Sequence, residues 1–175
     1  MKPNYSFLLK LLIAQCLALA CASQGYDFFY LVQQVSDLTS QMQVSWPSLA
    51  CPSSDDTSFW THEWDKHGTC SESVLDEHAY FQAALDLKAQ ANILQALENA
   101  GIQADGGLYS LTGIKNAIQD ALGYEPWIEC NKDASGQSQL YQIYLCVDYY
   151  GSSFIECPVF PNVGSCASNL EFPTF

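Results

Sequence analysis

The chain has 175 residues, enough for one domain with a buried core, and its 49% hydrophobic content excludes a disordered polyelectrolyte. It has 19 acidic residues and six basic residues, all of them lysine, which gives a formal net charge of −13 at pH 7. Binders of double-stranded nucleic acid neutralise phosphates with basic surfaces, so this charge argues against a DNA-binding protein. The low charged content of 14%, with 13% aromatic residues, is typical of an extracellular or luminal protein.

The first 22 residues have the pattern of a secretory signal peptide. Lys2 and Lys10 flank an apolar run over 11–20, and small residues follow at the predicted cleavage site near Ala22. A membrane-spanning helix needs about 20 apolar residues, roughly twice the length of this run. We therefore predict a signal peptide over 1–22 and a single mature domain over 23–175, without a membrane anchor.

Short elements are predicted at the start of the mature domain. Residues 28–33 are aromatic and β-branched, which favours a strand. Ser36 offers an N-cap to a helix over 37–45, and Trp46-Pro47 ends that helix. A polar loop over 52–58 follows.

Two helical regions are predicted in the middle of the chain. Ser73 is the expected cap of the first, whose apolar residues continue to Leu97 before a stop at Gly101. The second has apolar residues at i, i+3, i+4 and i+7 over 111–122, and Gly123 ends it.

The pattern changes to strands after the second helix. Strands are predicted over 127–131, 139–148 and 154–157, with turns at 133–136 and 149–152. Because helices precede strands, we predict an α+β fold, with an antiparallel sheet and helices packed on it.

The chemically active side chains are concentrated in residues 59–70, FWTHEWDKHGTC. Two of the three histidines, an acid and a lysine lie within six residues: His62, Glu63, Lys66 and His67. A zinc-protease helix needs histidines at i and i+4, whereas these lie five apart and diverge by about 140° around a helix. The helical i+4 pairs are instead His62 with Lys66 and Glu63 with His67, which suits an anionic transition state. The alternative is a charge-paired helix with a structural role only.

This segment resembles the second conserved active-site segment of the ribonuclease T2 family. Other segments resemble the S-like ribonucleases of plants, along nearly the whole mature chain: FFYLVQQ, SWPSLACP, GYEPWIECN, QLYQIYLCVD, IECPVF and EFPTF. The resemblance implies a ribonuclease T2-like fold and cleavage of single-stranded RNA by transphosphorylation, through a 2′,3′-cyclic phosphate, with no metal or other cofactor. We expect a monomer that is extracellular or vacuolar.

The resemblance also implies roles for six residues. Transphosphorylation needs a base for the 2′-hydroxyl proton, an acid for the leaving 5′-oxygen, and groups that stabilise the phosphorane. The implied roles are general base for His67, phosphate binding for His62, phosphorane stabilisation for Glu63 and Lys66, and base binding for Phe59 and Gln34. Phe59 fits a hydrophobic core equally well.

Six cysteines remain in the predicted mature chain, and in an oxidising compartment they indicate a disulfide framework. Structural zinc is the competing interpretation, but no Cys-x2-Cys pair occurs. The resemblance implies that Cys130 pairs with Cys166 and Cys146 with Cys157. It leaves Cys51 and Cys70 without their family partners.

One family segment is absent. The family carries an earlier active-site segment resembling IHGLWP, whose histidine is the general acid, and the two glutamines ending at Gln34 run directly into Val35-Ser36-Asp37 instead. The remaining histidine, His78, is expected to be a solvated residue in the first turn of a helix. We therefore predict a domain that lacks part of its N-terminal half and an enzyme of impaired activity. The alternative is a non-catalytic storage, RNA-binding or defence-associated protein on the same fold.

Overall fold

The computed structural model describes residues 34–49, 55–160 and 166–175. These residues form two compact units. The helical unit contains residues 34–49, 55–89 and 147–153, and the sheet unit contains residues 90–146, 154–160 and 166–175. The predicted signal peptide and the predicted strand over 28–33 lie outside the described residues.

The helical unit contains α1 (Thr39–Ser45), α2 (Asp56–Lys66), a 3₁₀ helix (Gly68–Ser71) and most of α3 (Glu77–Gln90). These elements enclose a largely aromatic core, in which the indole N–H of Trp60 donates to the carbonyl of Trp46 at 2.7 Å. The buried residues of this core are Val35, Leu38, Met42, Trp46, Trp60, Trp64, Tyr80, Phe81, Ala84 and Leu85. Burial of these side chains is the main source of stability for the unit.

The start of α1 differs from the prediction. The helix begins at Thr39, and its N-cap is Leu38, which makes no side-chain capping hydrogen bond, so the predicted capping role of Ser36 is wrong. Leu38 is buried, and we attribute the shifted boundary to core packing. The predicted end is confirmed, because Trp46 leaves the helical conformation.

The first long helical region is two helices rather than one. Asp76, and not Ser73, accepts the amide of Ala79 at 2.8 Å where α3 begins. α3 ends at Gln90, and the side chain of Asn92 caps α4 (Ile93–Asn99) by accepting the amide of Gln95 at 3.3 Å. Asparagine competes for backbone amides in this way, which favours a new helix start over a continuous helix.

The second predicted helix is confirmed in the sheet unit as α5 (Leu111–Leu122). The hydroxyl of Ser110 accepts the amide of Gly113 at 2.9 Å at its start. Gly123 ends it in the left-handed region, at φ 85°, which favours glycine.

The main sheet has four strands in the order β1-β6-β3-β2: β1 (Leu108–Ser110), β2 (Trp127–Lys132), β3 (Ser138–Tyr144) and β6 (Asn169–Glu171). Its pairs are antiparallel except β3 with β6, which are parallel through Gln139 and Glu171. The predicted α+β fold with an antiparallel sheet is therefore confirmed, with the parallel pair as the one departure in the described sheet. The pattern did not predict β1 and β6, because three residues are too short to show a period of two.

The predicted strand over 139–148 is interrupted. β3 ends at Tyr144, and a short β4 (Cys146–Val147) pairs with β5 (Phe154–Ile155) in a separate two-stranded sheet. In the structure Cys146 is bonded to Cys157 and Cys130 to Cys166, the pairs that the resemblance implies. Among the helices of the described ranges, none has the length and apolar character needed to span a bilayer.

Candidate functional site

The candidate site lies on α2, and the acids at its start set where this helix begins. The side chain of Asp55 accepts the amide of Thr57 at 3.1 Å, in the usual N-cap arrangement. Asp56 accepts the amide of Ser48 at 2.7 Å and places a negative charge in the first turn, where the helix dipole favours it.

One side of α2 is buried and another is exposed. Trp60 and Trp64 are each 1% exposed, and both belong to the core of the helical unit. His62 and Lys66, separated by one helical turn, are exposed. The tryptophans therefore fix the rotation of the helix and leave this histidine and lysine accessible to a ligand.

Glu63 and His67 do not form the expected pair within a helix. The helix ends at Lys66, and His67 has φ −125° and ψ −42°, although its backbone amide still donates to the carbonyl of Glu63 at 3.0 Å. Glu63 is 8% exposed, whereas the His67 side chain is exposed. No side-chain hydrogen bond joins His62, Glu63, Lys66 and His67 in the described part of the chain.

Gly68 allows the turn that follows His67, and our sequence interpretation did not identify it. A Cβ atom at this position would lie 2.0 Å from Cε3 of Trp64. The backbone can therefore cross the indole ring only where there is no side chain. The sequence feature that could have predicted this turn is a glycine directly after the candidate base.

The two predicted base-binding residues lie in different environments. Phe59 is half-buried and packs against the core of the helical unit. This is the core position that the sequence allowed for it beside base binding. Gln34 is exposed at the first described position. The Phe59 side chain packs against the core, so it would have to serve that purpose and base binding at once.

His78, outside the candidate site, is hydrogen-bonded to an acidic side chain. Its Nε2 lies 3.0 and 3.2 Å from the two carboxylate oxygens of Asp37. The hydrogen bond from His78 lowers the pKa of Asp37 from its ordinary value. The prediction of a solvated residue is therefore confirmed only in part: His78 is partly exposed, and it contacts Asp37.

Cys70 lies two residues after Gly68, is half-buried and has no disulfide partner among the described residues. Cys51 lies outside the described residues. Within those residues no group of three or more histidine, cysteine or acidic side chains is arranged to hold a metal ion.

The sequence matches the model of the ribonuclease T2 family over residues 14–157. The chain belongs to the ribonuclease T2 family. It is 45% identical to extracellular ribonuclease LE of Solanum lycopersicum, in an alignment covering 97% of this chain and 96% of the relative. It is 43% identical to intracellular ribonuclease LX of the same species, covering 100% of this chain and 96% of the relative. A ribonuclease-like storage protein of Panax ginseng is 36% identical, covering 81% and 57% of the two chains.

The fold is shared with solved structures. A crystal structure of RNase NT in complex with 5′-AMP aligns with a TM-score of 0.78 and 53% identity, over 82% of this chain and 70% of that chain. The alignment with ribonuclease LE has 222 positions and includes 97% of this 175-residue chain, so about 50 positions have no residue here. A gap of this size agrees with the absence of the IHGLWP-like segment.

Proposed function

We propose that this chain binds single-stranded RNA and cleaves it weakly by transphosphorylation, as an impaired member of the ribonuclease T2 family. The observation that carries this proposal is the exposure of His62, Lys66 and His67 at the end of a helix fixed by buried tryptophans. Lys66, and His62 when it is protonated, provide positive charge at this site in a chain of net charge −13. RNase NT was crystallised with a nucleotide, which supports an RNA ligand for this fold.

In the proposed reaction, His67 removes the proton of the ribose 2′-hydroxyl. The 2′-oxygen then forms a bond to phosphorus, the bond from phosphorus to the 5′-oxygen breaks, and a 2′,3′-cyclic phosphate results. His62 and Lys66 bind the phosphate oxygens and stabilise the charge of the phosphorane. Glu63 is assigned the same role by resemblance, although its low exposure leaves it little surface for a bound phosphate.

The proposed impairment follows from the missing acid. The leaving 5′-oxygen must gain a proton, and the family histidine that supplies it belongs to the absent segment. Water is a poor substitute, because a positioned general acid typically contributes about 10²–10⁴-fold to the rate. His78 is not a natural replacement, because its Nε2 already contacts Asp37.

The test compares the purified chain with a chimera in which the missing segment of ribonuclease LE is inserted after Gln34. We expect the chimera to cleave an RNA oligonucleotide at least about 100-fold faster at the same pH. His67→Ala should remove the activity that the native chain retains, and His78→Ala is the matched control that leaves it unchanged. Equal rates for the native chain and an active chimera would contradict the impairment.

A second candidate function is a non-catalytic storage or RNA-binding role. The similarity to the ribonuclease-like storage protein of Panax ginseng favours it, together with the missing segment. RNA cleavage by the native chain distinguishes the two candidate functions, because a storage protein would show no cleavage that depends on His67. Binding of RNA without such cleavage would identify an RNA-binding protein.

For its location, we propose entry into the secretory pathway as a monomer. The support is the signal-like pattern over 1–22 and the disulfides at Cys130–Cys166 and Cys146–Cys157. The final compartment is proposed to be extracellular or vacuolar, and the two tomato relatives are named as extracellular and intracellular. Fractionation of cells that express the tagged chain would test this.

A further inference from the structure

Glu77, the first residue of α3, has an unusual environment. Only 5% of this residue is exposed, and both carboxylate oxygens are buried without a hydrogen-bond partner among the described residues. It does not cap its own helix, because Asp76 accepts the amide of Ala79. A buried carboxylate without a partner is costly, and protonation is the common way of avoiding that cost.

In the part of the chain that the structure describes, the charged groups that act on Glu77 are all acidic. They are Asp65 on α2, Glu72 after the 3₁₀ helix and Asp76 directly before α3. One carboxylate oxygen of Asp65 is also buried without a hydrogen-bond partner in the same ranges. A bound cation is not favoured, because no group of three or more ligating side chains occurs in the described ranges.

The carboxyl lies where α2 and α3 pack together. Glu77 is three residues from Tyr80, whose ring contacts that of Trp64 on α2 at a centroid distance of 5.5 Å in an edge-on arrangement. Trp64 in turn lies beneath Gly68, in the turn after His67. A charge that forced Glu77 toward water would therefore disturb the contact that holds the end of α2.

We propose that Glu77 is a pH-sensitive switch of the helical unit, in which a neutral carboxyl permits the packing of α2 on α3 and ionisation loosens it. This role does not depend on RNA cleavage, since it concerns only the stability of the unit. The contribution of Glu77 to the stability of the unit is therefore greatest at acidic pH.

The direction of the pH effect follows from where the proton binds. Burial, and then the charges of Asp65, Asp76 and Glu72, raises the pKa of Glu77 from 4.5 to about 7. The folded unit therefore holds a proton that the unfolded chain has lost between these values. This contribution to stability is complete below pH 4.5 and is lost as the pH rises through about 7.

The test is urea unfolding of the native chain at several values between pH 5 and 8, followed by tryptophan fluorescence. Three of the four tryptophans, Trp46, Trp60 and Trp64, belong to the helical unit. We expect the unfolding equilibrium constant of the native chain to rise about 100-fold more over this range than that of Glu77→Gln. Glutamine has the size of glutamate and stays neutral.

Two further variants keep the proposal falsifiable. Asp86→Asn removes an exposed carboxylate from the same helix and should keep the native pH dependence. Asp65→Asn removes a like charge from the surroundings of Glu77 and should move the loss of stability to lower pH. Parallel curves for the native chain and Glu77→Gln would overturn the proposal. If Glu77→Gln does not fold, an unchanged transition in Asp65→Asn would overturn it.

Discussion

Gly68 shows how a single residue without chemistry of its own positions the candidate base. Its backbone crosses the indole of Trp64 so closely that even a methyl group would overlap it. Forcing atoms into a packed interior typically costs about 1–3 kcal/mol, since neighbouring side chains and backbone must shift. We expect His67, the residue directly before Gly68, to move with the turn.

We therefore expect Gly68→Ala to lower the free energy of unfolding by about 1–3 kcal/mol, measured by urea titration. In a Trp64→Leu background the same substitution should cost less, because the ring that it overlaps is gone. The difference between the two backgrounds measures the coupling directly. An equal cost in both would show that the indole is not the cause.

At the residue scale, the sequence predicted which residues form the candidate site better than it predicted their burial and their position relative to the helix. The spacing of His62, Glu63, Lys66 and His67 indicated one helix, and three of the four lie in α2. Spacing could not show that His67 lies just past its end, because the turn depends on Trp64 and Gly68. Nor could it show that Phe59 packs against the core.

At the scale of elements, the two disulfides close loops of different length in the sheet unit. Cys130 and Cys166 are 36 residues apart, and Cys146 and Cys157 are 11 apart. The longer bridge connects β2 to the residues just before β6. A longer loop restricts the unfolded chain more, so its removal should cost more stability.

We expect the double substitution Cys130→Ala and Cys166→Ala to lower the free energy of unfolding by about 4 kcal/mol. The corresponding Cys146→Ala and Cys157→Ala variant should lose about 3 kcal/mol. Chemical denaturation followed through Trp127, the tryptophan of β2, measures both. The reverse order would show that native-state contacts outweigh loop entropy.

At the scale of the whole molecule, the distribution of charge determines how RNA binding depends on salt. Four lysines remain after residue 22, and two of them are engaged: Lys115 pairs with Glu125 at 2.9 Å, and Lys88 donates to the carbonyl of Ser45. Burial lowers the pKa of Lys88 from its ordinary value. Lys66 and Lys132 are exposed, so the chain has few groups that could replace the counterions of a polynucleotide.

RNA binding by this chain should therefore depend little on salt, or strengthen as salt rises. A basic binder loses affinity with salt because counterions are released, whereas here screening weakens the repulsion between two anionic molecules. Fluorescence anisotropy with a 2′-O-methyl RNA oligonucleotide, which lacks the attacking hydroxyl, measures this across a salt series. A steep loss of affinity with added salt would contradict it, and Lys66→Gln would then identify the contact responsible.

The sequence by itself determined the fold class, the family, α5 with its end at Gly123, and the segment that holds the candidate chemistry. These features depend on local pattern: apolar spacing, capping side chains, turn glycines and the order of residue types along a short segment. The helix and the chemical segment can each be read within about a dozen neighbouring residues, and the fold class and the family follow from such patterns taken along the whole chain.

The tertiary structure alone decided the features that depend on distant partners. It ended α3 at Gln90, added the short strands β1 and β6, and buried Glu77 with no hydrogen-bond partner in the described ranges. A three-residue strand exists because another strand supplies its hydrogen bonds, and Glu77 is buried only once the helical unit has folded. Burial and pairing are properties of residues brought together by folding, so no local pattern reports them.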